Sequence, residues 1–307
     1  MTALIIDSAA SAGHPVPPGH PEHQGRYDAA RAALEGVANA RWLNSRAAVR
    51  SELERFHTAA HIERVLGLTA TVSEGDWAAL DADTQVTQSS AAAGLHAAGG
   101  VVEAVDRVMR GEGLHAFCLA RPPGHHAEPD RAMGFCLFNS IAVGACHALE
   151  AHGLDRVAIV DVDVHHGNGS QCLAEVDERV FFASLHQAPL YPGTGTRKET
   201  GRNGNVLNIP LPANTPAAVW RQHFEGEVLP ALKQFQPQML FVSAGFDAYA
   251  DDPLGGFLLQ DVDYAWIAQE LAGVAEETAD SRLVSVMEGG YDCPALGRAA
   301  AAFTAAL

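Results

Sequence analysis

The run Arg156-Val-Ala-Ile-Val-Asp161-Val-Asp163-Val-His165-His166-Gly167-Asn168-Gly169 decides how the chain is to be read. Its first half is a short apolar stretch of β-branched residues, as in a strand buried on both faces of a parallel sheet. Its second half is polar and glycine-rich, and open parallel sheets bind ligands just beyond the carboxyl ends of their strands. Asp161, Asp163 and His165 alternate, so an extended backbone sends all three to one side.

Working outward, similar apolar runs are expected to form strands at 3–7, 115–119, 179–185, 238–243 and 282–287, with this one at 156–161. Helical periodicity falls near 25–38, 90–110, 138–152, 215–235, 261–277 and 294–306. The alternation predicts βαβ crossovers and an α/β fold: a three-layer sandwich with a central, mostly parallel sheet flanked by helices. No repeat or low-complexity linker divides the sequence, so residues 1–307 are read as one domain.

Bulk properties narrow the function. Twenty Lys and Arg against 37 Asp and Glu leave a net charge of −17, which repels phosphates and argues against nucleic acid as a partner. The same charge suits a cationic substrate, although an acidic surface also serves solubility. There is no 18-residue apolar run for a membrane span and no secretory leader, so a cytoplasmic location is expected. Cys118, Cys136, Cys146, Cys172 and Cys293 lie far apart and read as isolated thiols.

Polar clusters follow the expected strands. After 115–119 comes a Pro/Gly-rich turn with Gly124-His125-His126; after 238–243 comes Asp247; after 282–287 comes Glu288-Gly-Gly-Tyr291. Asp163, His165 and Asp247 form a two-carboxylate, one-imidazole set that leaves positions open for water and substrate, the pattern of a catalytic metal site. A loop can aim both His125 and His126 inward, where an imidazole near neutrality can shuttle a proton. Asp161 and Asn168 are the natural partners of these two rings. Tyr291 can donate its hydroxyl to a developing oxyanion. Each feature alone would suit a solvated strand end or a packed side chain; their recurrence after several strands favours a site. His57 and His61, and the loop residues His14, His20 and His23, have no matching ligands and are expected to be structural or to touch the rim.

These motifs resemble those of histone deacetylases, in the class II-like branch with bacterial deacetylases and acetylpolyamine amidohydrolases. The resemblance rests on Arg121-Pro-Pro-Gly-His-His-Ala, Gly134-Phe-Cys-Leu-Phe-Asn139, the 161–169 run, Ser243-Ala-Gly-Phe-Asp247 and Glu288-Gly-Gly-Tyr291. It extends from Gly19-His-Pro-Glu22 and Arg26 through Asp83-Thr84 to Asp251-Asp-Pro-Leu-Gly255. It implies an arginase/deacetylase-like fold and Zn2+, or Fe2+ or another divalent ion in vivo, on Asp163, His165 and Asp247. His126 would be the general base and then acid, with His125 as its electrostatic partner and Tyr291 polarising the amide. Asp161 would pair with His125, and Asn168, where other branches have aspartate, with His126. A structural K+ would lie on Asp161, Asp163, His165, Ser184 and Leu185. Gly134, Phe135 and Tyr191 would line the acyl-chain tunnel.

The implied reaction is hydrolysis of N-acetyl or other acyl amides on lysine side chains, polyamines or small amines, releasing acetate. The expected partners are an acetylated small amine or an acetyl-lysine peptide, with a homo-oligomer left open. Two rivals are an arginase-like ureohydrolase with two manganese ions and a non-catalytic acyl-amine sensor.

Overall fold

A computed structural model describes residues 3–307. Its main sheet contains β1 (Leu4–Asp7), β2 (Arg41–Asn44), β5 (His115–Leu119), β6 (Val157–Asp161), β7 (Val180–Gln187), β8 (Val206–Leu211), β9 (Leu240–Ala244) and β10 (Leu283–Met287). A separate antiparallel ribbon joins β3 (Ala78–Ala79) to β4 (Gln85–Val86). The larger sheet runs β2-β1-β5-β10-β9-β6-β7-β8, and every ladder in it is parallel.

Side-chain alternation explains the three layers. Ile5, Phe117, Val160 and Val242 face one side, where they meet Tyr27 and Leu34 of α1 (Gly25–Leu34), Ile267 and Leu271 of α9 (Asp261–Thr278), and Phe303 of α10 (Cys293–Ala306). Leu4, Ile6, Cys118, Ile159 and Phe241 face the other, against Val101 and Val105 of α4 (Ser90–Met109) and Ile141 and Ala145 of α5 (Ser140–Glu150). Strands covered on both faces by helices have little reason to be polar, and β5, β6, β9 and β10 are buried throughout.

Strand order brings the polar loops together. β9 and β10, last in the chain, fill the space between β5 and β6. The segments that follow these four strands therefore emerge side by side at one edge of the sheet.

All six expected strands are present, with boundaries shifted by no more than two residues. Two outer strands, β2 and β8, were not foreseen. The expected continuous helix over 215–235 is α7 (Ala217–His223) and α8 (Leu229–Phe235), joined by a π-turn at Phe224–Val228. Pro230 stands in the first turn of α8 and has no N–H to continue a regular ladder. No helix of the described residues is long and apolar enough to cross a membrane.

Candidate active site

The loop after β6 and the loop after β9 converge. His165 Nδ1 lies 2.9 Å from Asp163 Oδ1 and 3.1 Å from Asp247 Oδ2. One donor atom from each of the three residues falls within 4.8 Å of the others, and all three residues are buried. Backbone amides aim the carboxylates: Gly289 N–H donates to Asp163 Oδ2 at 2.8 Å, and Val164 N–H donates to Asp247 Oδ1 at 2.8 Å.

Glycine is required around this cradle. A Cβ on Gly289 would stand 2.0 Å from Asp247 Oδ2 and 2.6 Å from Asp163 Oδ2, and one on Gly245 would stand 2.3 Å from Asp163 Oδ2. Two carboxylates and an imidazole packed this closely offer a set of donors that one cation can share. Burial, reinforced by the neighbouring Asp163 charge, raises the Asp247 carboxyl to about 7. His165 moves the other way from what burial favours, up to about 10, because Asp163 and Asp247 hold its proton. A divalent ion would replace that proton, so the donor set fits one.

The histidine pair sits on the loop after β5. His125 Nδ1 lies 2.9 Å from Asp161 Oδ2, and His126 Nδ1 lies 2.8 Å from Asn168 Oδ1. The rings are adjacent, with centroids 4.0 Å apart, yet their charges diverge. Burial opposes protonation of both. At His125 it is overcome by Asp161 and Asp163, which push the ring well above its usual value. At His126 burial is reinforced by His125 and His165, which keep the ring neutral. Two buried groups driven apart in this way are typical of acid–base sites.

Buried polar residues fix this loop from beneath. Asn139 caps α5 by accepting from Ala142 N–H, while its amide donates to the carbonyls of His125 and Ala127 and to Ser170 Oγ. Glu288 Oε2 accepts from Gly124 N–H at 2.6 Å and His125 N–H at 3.2 Å.

A cavity of about 280 Å³ opens over the site, lined in part by His126, His165, Gly134, Phe135, Tyr191 and Tyr291. Tyr191 meets the His126 ring edge to face at 5.0 Å, and Phe135 stands 6.1 Å from Tyr291. Gly134 and Phe135 both have left-handed backbones, with φ of 56° and 66°. The ribbon between β3 and β4 holds them there: Asp83 Oδ1 accepts from Gly134 N–H and Thr84 Oγ from Phe135 N–H. A larger cavity, about 750 Å³, lies away from this chemistry between residues 12–15, 74–77 and 87–89.

Tyr291 rests on a buried ion cluster. Arg26 lies 4.8 Å from the centre of its ring and donates to the carbonyls of Gly290 and Glu288. Glu22 pairs with Arg26 at 2.8 Å and with Arg121 at 2.6 Å. Tyr291 N–H in turn donates to Asp252 at 2.6 Å.

Asp161, the last residue of β6, is the register partner of Ser184 within β7, and both are fully buried. Their hard oxygen donors, with Leu185 next along β7, suit a monovalent ion in the role expected for K+.

The other histidines singled out in the sequence have structural partners. His57 and His61 are both buried, but only His61 lies on α3 (Ala59–Thr71), so the two rings do not share a helix. His57 accepts from Asn139 N–H, and His61 lies 2.9 Å from the Leu137 carbonyl. His14 is buried against Ser90, His23 accepts from Gly25 N–H, and His20 reaches the rim against Phe135. A second convergent trio, Asp106, His147 and His152, joins α4 to the end of α5. There Arg55, which can only donate, lies 2.7 Å from His147 Nδ1, so the other ring nitrogen carries a proton toward Asp106 rather than a lone pair toward a metal.

Sequence reasoning assigned no role to Glu128, Glu288, Asp83 or Glu22. The last three stood inside recognised motifs, which was the available signal; nothing marked Glu128.

Comparison with known proteins agrees with this geometry. The Histone deacetylase domain model matches residues 20–307. An uncharacterized protein, slr0245, of Synechocystis is 40% identical over 96% of this chain and 95% of its own. A probable deacetylase of Methanothermobacter thermautotrophicus is 38% identical over 93% of this chain and 85% of its own. Among solved structures, the HDA15 HD domain superposes with a TM-score of 0.91 at 31% identity, covering 99% of this chain and 88% of that one. The chain belongs to the histone deacetylase superfamily, alongside bacterial and archaeal deacetylases, and is a hydrolase of acetyl amides with the arginase/deacetylase-like fold.

Proposed function

We propose that this protein cleaves the acyl amide of an acetylated amine, a lysine side chain or a polyamine, using one Zn2+-class ion on Asp163, His165 and Asp247. The observation that carries the reading is the convergence of those three donors beneath a cavity bordered by His126 and Tyr291. When bound, the ion supplies Lewis acidity toward the amide carbonyl and lowers the pKa of water.

The chain's own residues do the rest. His126 is neutral, with Nδ1 committed to Asn168, so Nε2 is the nitrogen left to take a proton from water as it adds to the carbonyl carbon. His125, charged and anchored on Asp161, stabilises the negative charge that builds nearby. Burial keeps the Tyr291 hydroxyl protonated, so it donates to the oxyanion, a contribution of about 3 kcal/mol for one such donor. His126 then delivers its proton to the departing nitrogen, giving acetate and free amine. Phe135 and Tyr191 flank the aliphatic chain of the substrate. K+ on Asp161, Ser184 and Leu185, with the carbonyls of Asp163 and His165, would brace the β6 loop. We place the enzyme in the cytoplasm, as one catalytic domain spanning residues 1–307.

Two variants test this. Tyr291→Phe and His126→Ala should each lower hydrolysis of a fluorogenic acetyl-lysine amide by at least about 100-fold. Unchanged rates in both would refute the assignment, and binding of a hydroxamate without acetate release would support the sensor instead. A binuclear ureohydrolase would require a second ion beside the first, and among the described residues the other convergent trio lies on α4, α5 and the turn after α5 rather than at the strand ends.

A further inference from the structure

We propose that Glu128 is a positioning residue for the general base, acting through Asn168 to fix which nitrogen of His126 is free. This rests on the reading of His126 given above.

The geometry is a chain of three side chains. His126 Nδ1 meets Asn168 Oδ1 at 2.8 Å, and Asn168 Nδ2 donates to Glu128 Oε1 at 2.7 Å. A primary amide can be turned over at little intrinsic cost, so its orientation must be enforced by its neighbours. Here two acceptors, Glu128 Oε1 and the His126 carbonyl at 3.2 Å, claim the NH2 group, and Met133 Sδ lies 3.3 Å away. Turning the amide would set its oxygen against a carboxylate and a carbonyl. With the NH2 group held, Oδ1 has to face His126, and an acceptor at Nδ1 obliges that nitrogen to carry the proton. Nε2 is then the basic nitrogen.

Glu128 is itself held. Its N–H donates to Arg131 O, its carbonyl lies 3.1 Å from His57 Nδ1, and its second carboxylate oxygen pairs with Arg131 at 3.0 Å. A carboxylate acceptor makes a charge-assisted bond roughly twice as strong as a neutral one. Asparagine brings no charge to His126, and Glu128 supplies one at the far end of the same amide. The carboxylate thus does at one remove part of what an aspartate at position 168 would do directly.

The arrangement predicts a reversal that packing alone would not produce. Glu128→Gln should lower kcat several-fold and Glu128→Leu by 10–100-fold, the usual cost of losing such a partner, with KM little changed. In an Asn168→Asp background two carboxylates would face each other, so Glu128→Gln should there raise kcat. Nitrogen-15 NMR of histidine-labelled, zinc-loaded protein gives a readout independent of turnover. In the wild type His126 should be the Nδ1–H tautomer, and in Glu128→Leu it should become a mixture. An unaltered tautomer in Glu128→Leu, or an equal fall in kcat on Glu128→Gln in both backgrounds, would overturn the proposal. If the wild type fails to cleave acetyl amides, the functional reading fails and the tautomer spectra still decide this one.

Discussion

A Cβ built on Gly134 would lie 2.3 Å from His126 Cδ2, closer than any side chain tolerates. The left-handed backbone at Gly134 and the proposed base are therefore one structural unit, with the tunnel wall resting on the imidazole.

Gly134→Ala should consequently act on catalysis more than on folding. The added methyl must push the ring off its bond to Asn168, and misplacing a reacting group by about 1 Å costs on the order of 100-fold. The left-handed φ adds roughly 1–2 kcal/mol of strain. Steady-state assays should show kcat/KM down about 100-fold, while thermal unfolding shows only a modest drop in Tm.

Glu22→Gln should act chiefly on stability. Glu22 is buried between Arg26 and Arg121; burial works against its ionisation, and the two guanidiniums overcome it, holding the carboxyl below its usual range. Removing the acid that joins the two guanidiniums leaves buried charge uncompensated, at about 3–5 kcal/mol. Denaturant unfolding should report that loss. Tyr291 stacks on Arg26, so activity should fall with it.

These residues show what could be read from sequence and what could not. Asp161, Asp163, His165, Asp247, His125, His126 and Tyr291 were legible because each follows an apolar run whose place in a parallel sheet dictates which end carries polar groups. Glu128 was not, since a glutamate between His126 and Asp130 in a loop reads as solvated until Asn168 is found 2.7 Å away. β2 escaped notice because its four residues are only partly covered, and β8 because Pro210 interrupts it, as an edge strand allows. The π-turn at Phe224–Val228 was hidden because one widened turn keeps the helical pattern almost intact.

His57 should shape the acid limb of stability. Burial, with a further contribution from His61, lowers its pKa to about 3 in the folded chain from 6.5 when exposed. Between those values the unfolded chain binds a proton that the native one refuses, so stability falls as pH falls. The contribution is whole above pH 6.5 and gone below about 3. His57→Leu should lower stability at pH 7, because Asn139 N–H and the Glu128 carbonyl lose their partner, yet flatten the decline from pH 6.5 downward. Tm measured across that range in both proteins checks the slope.

The most direct test is an anomalous difference map at the zinc edge from crystals of the zinc-loaded protein. It should show one strong peak within bonding distance of Asp163, His165 and Asp247, and none at Asp106, His147 and His152. A map with no density among the first three, or two adjacent ions there, would contradict the account.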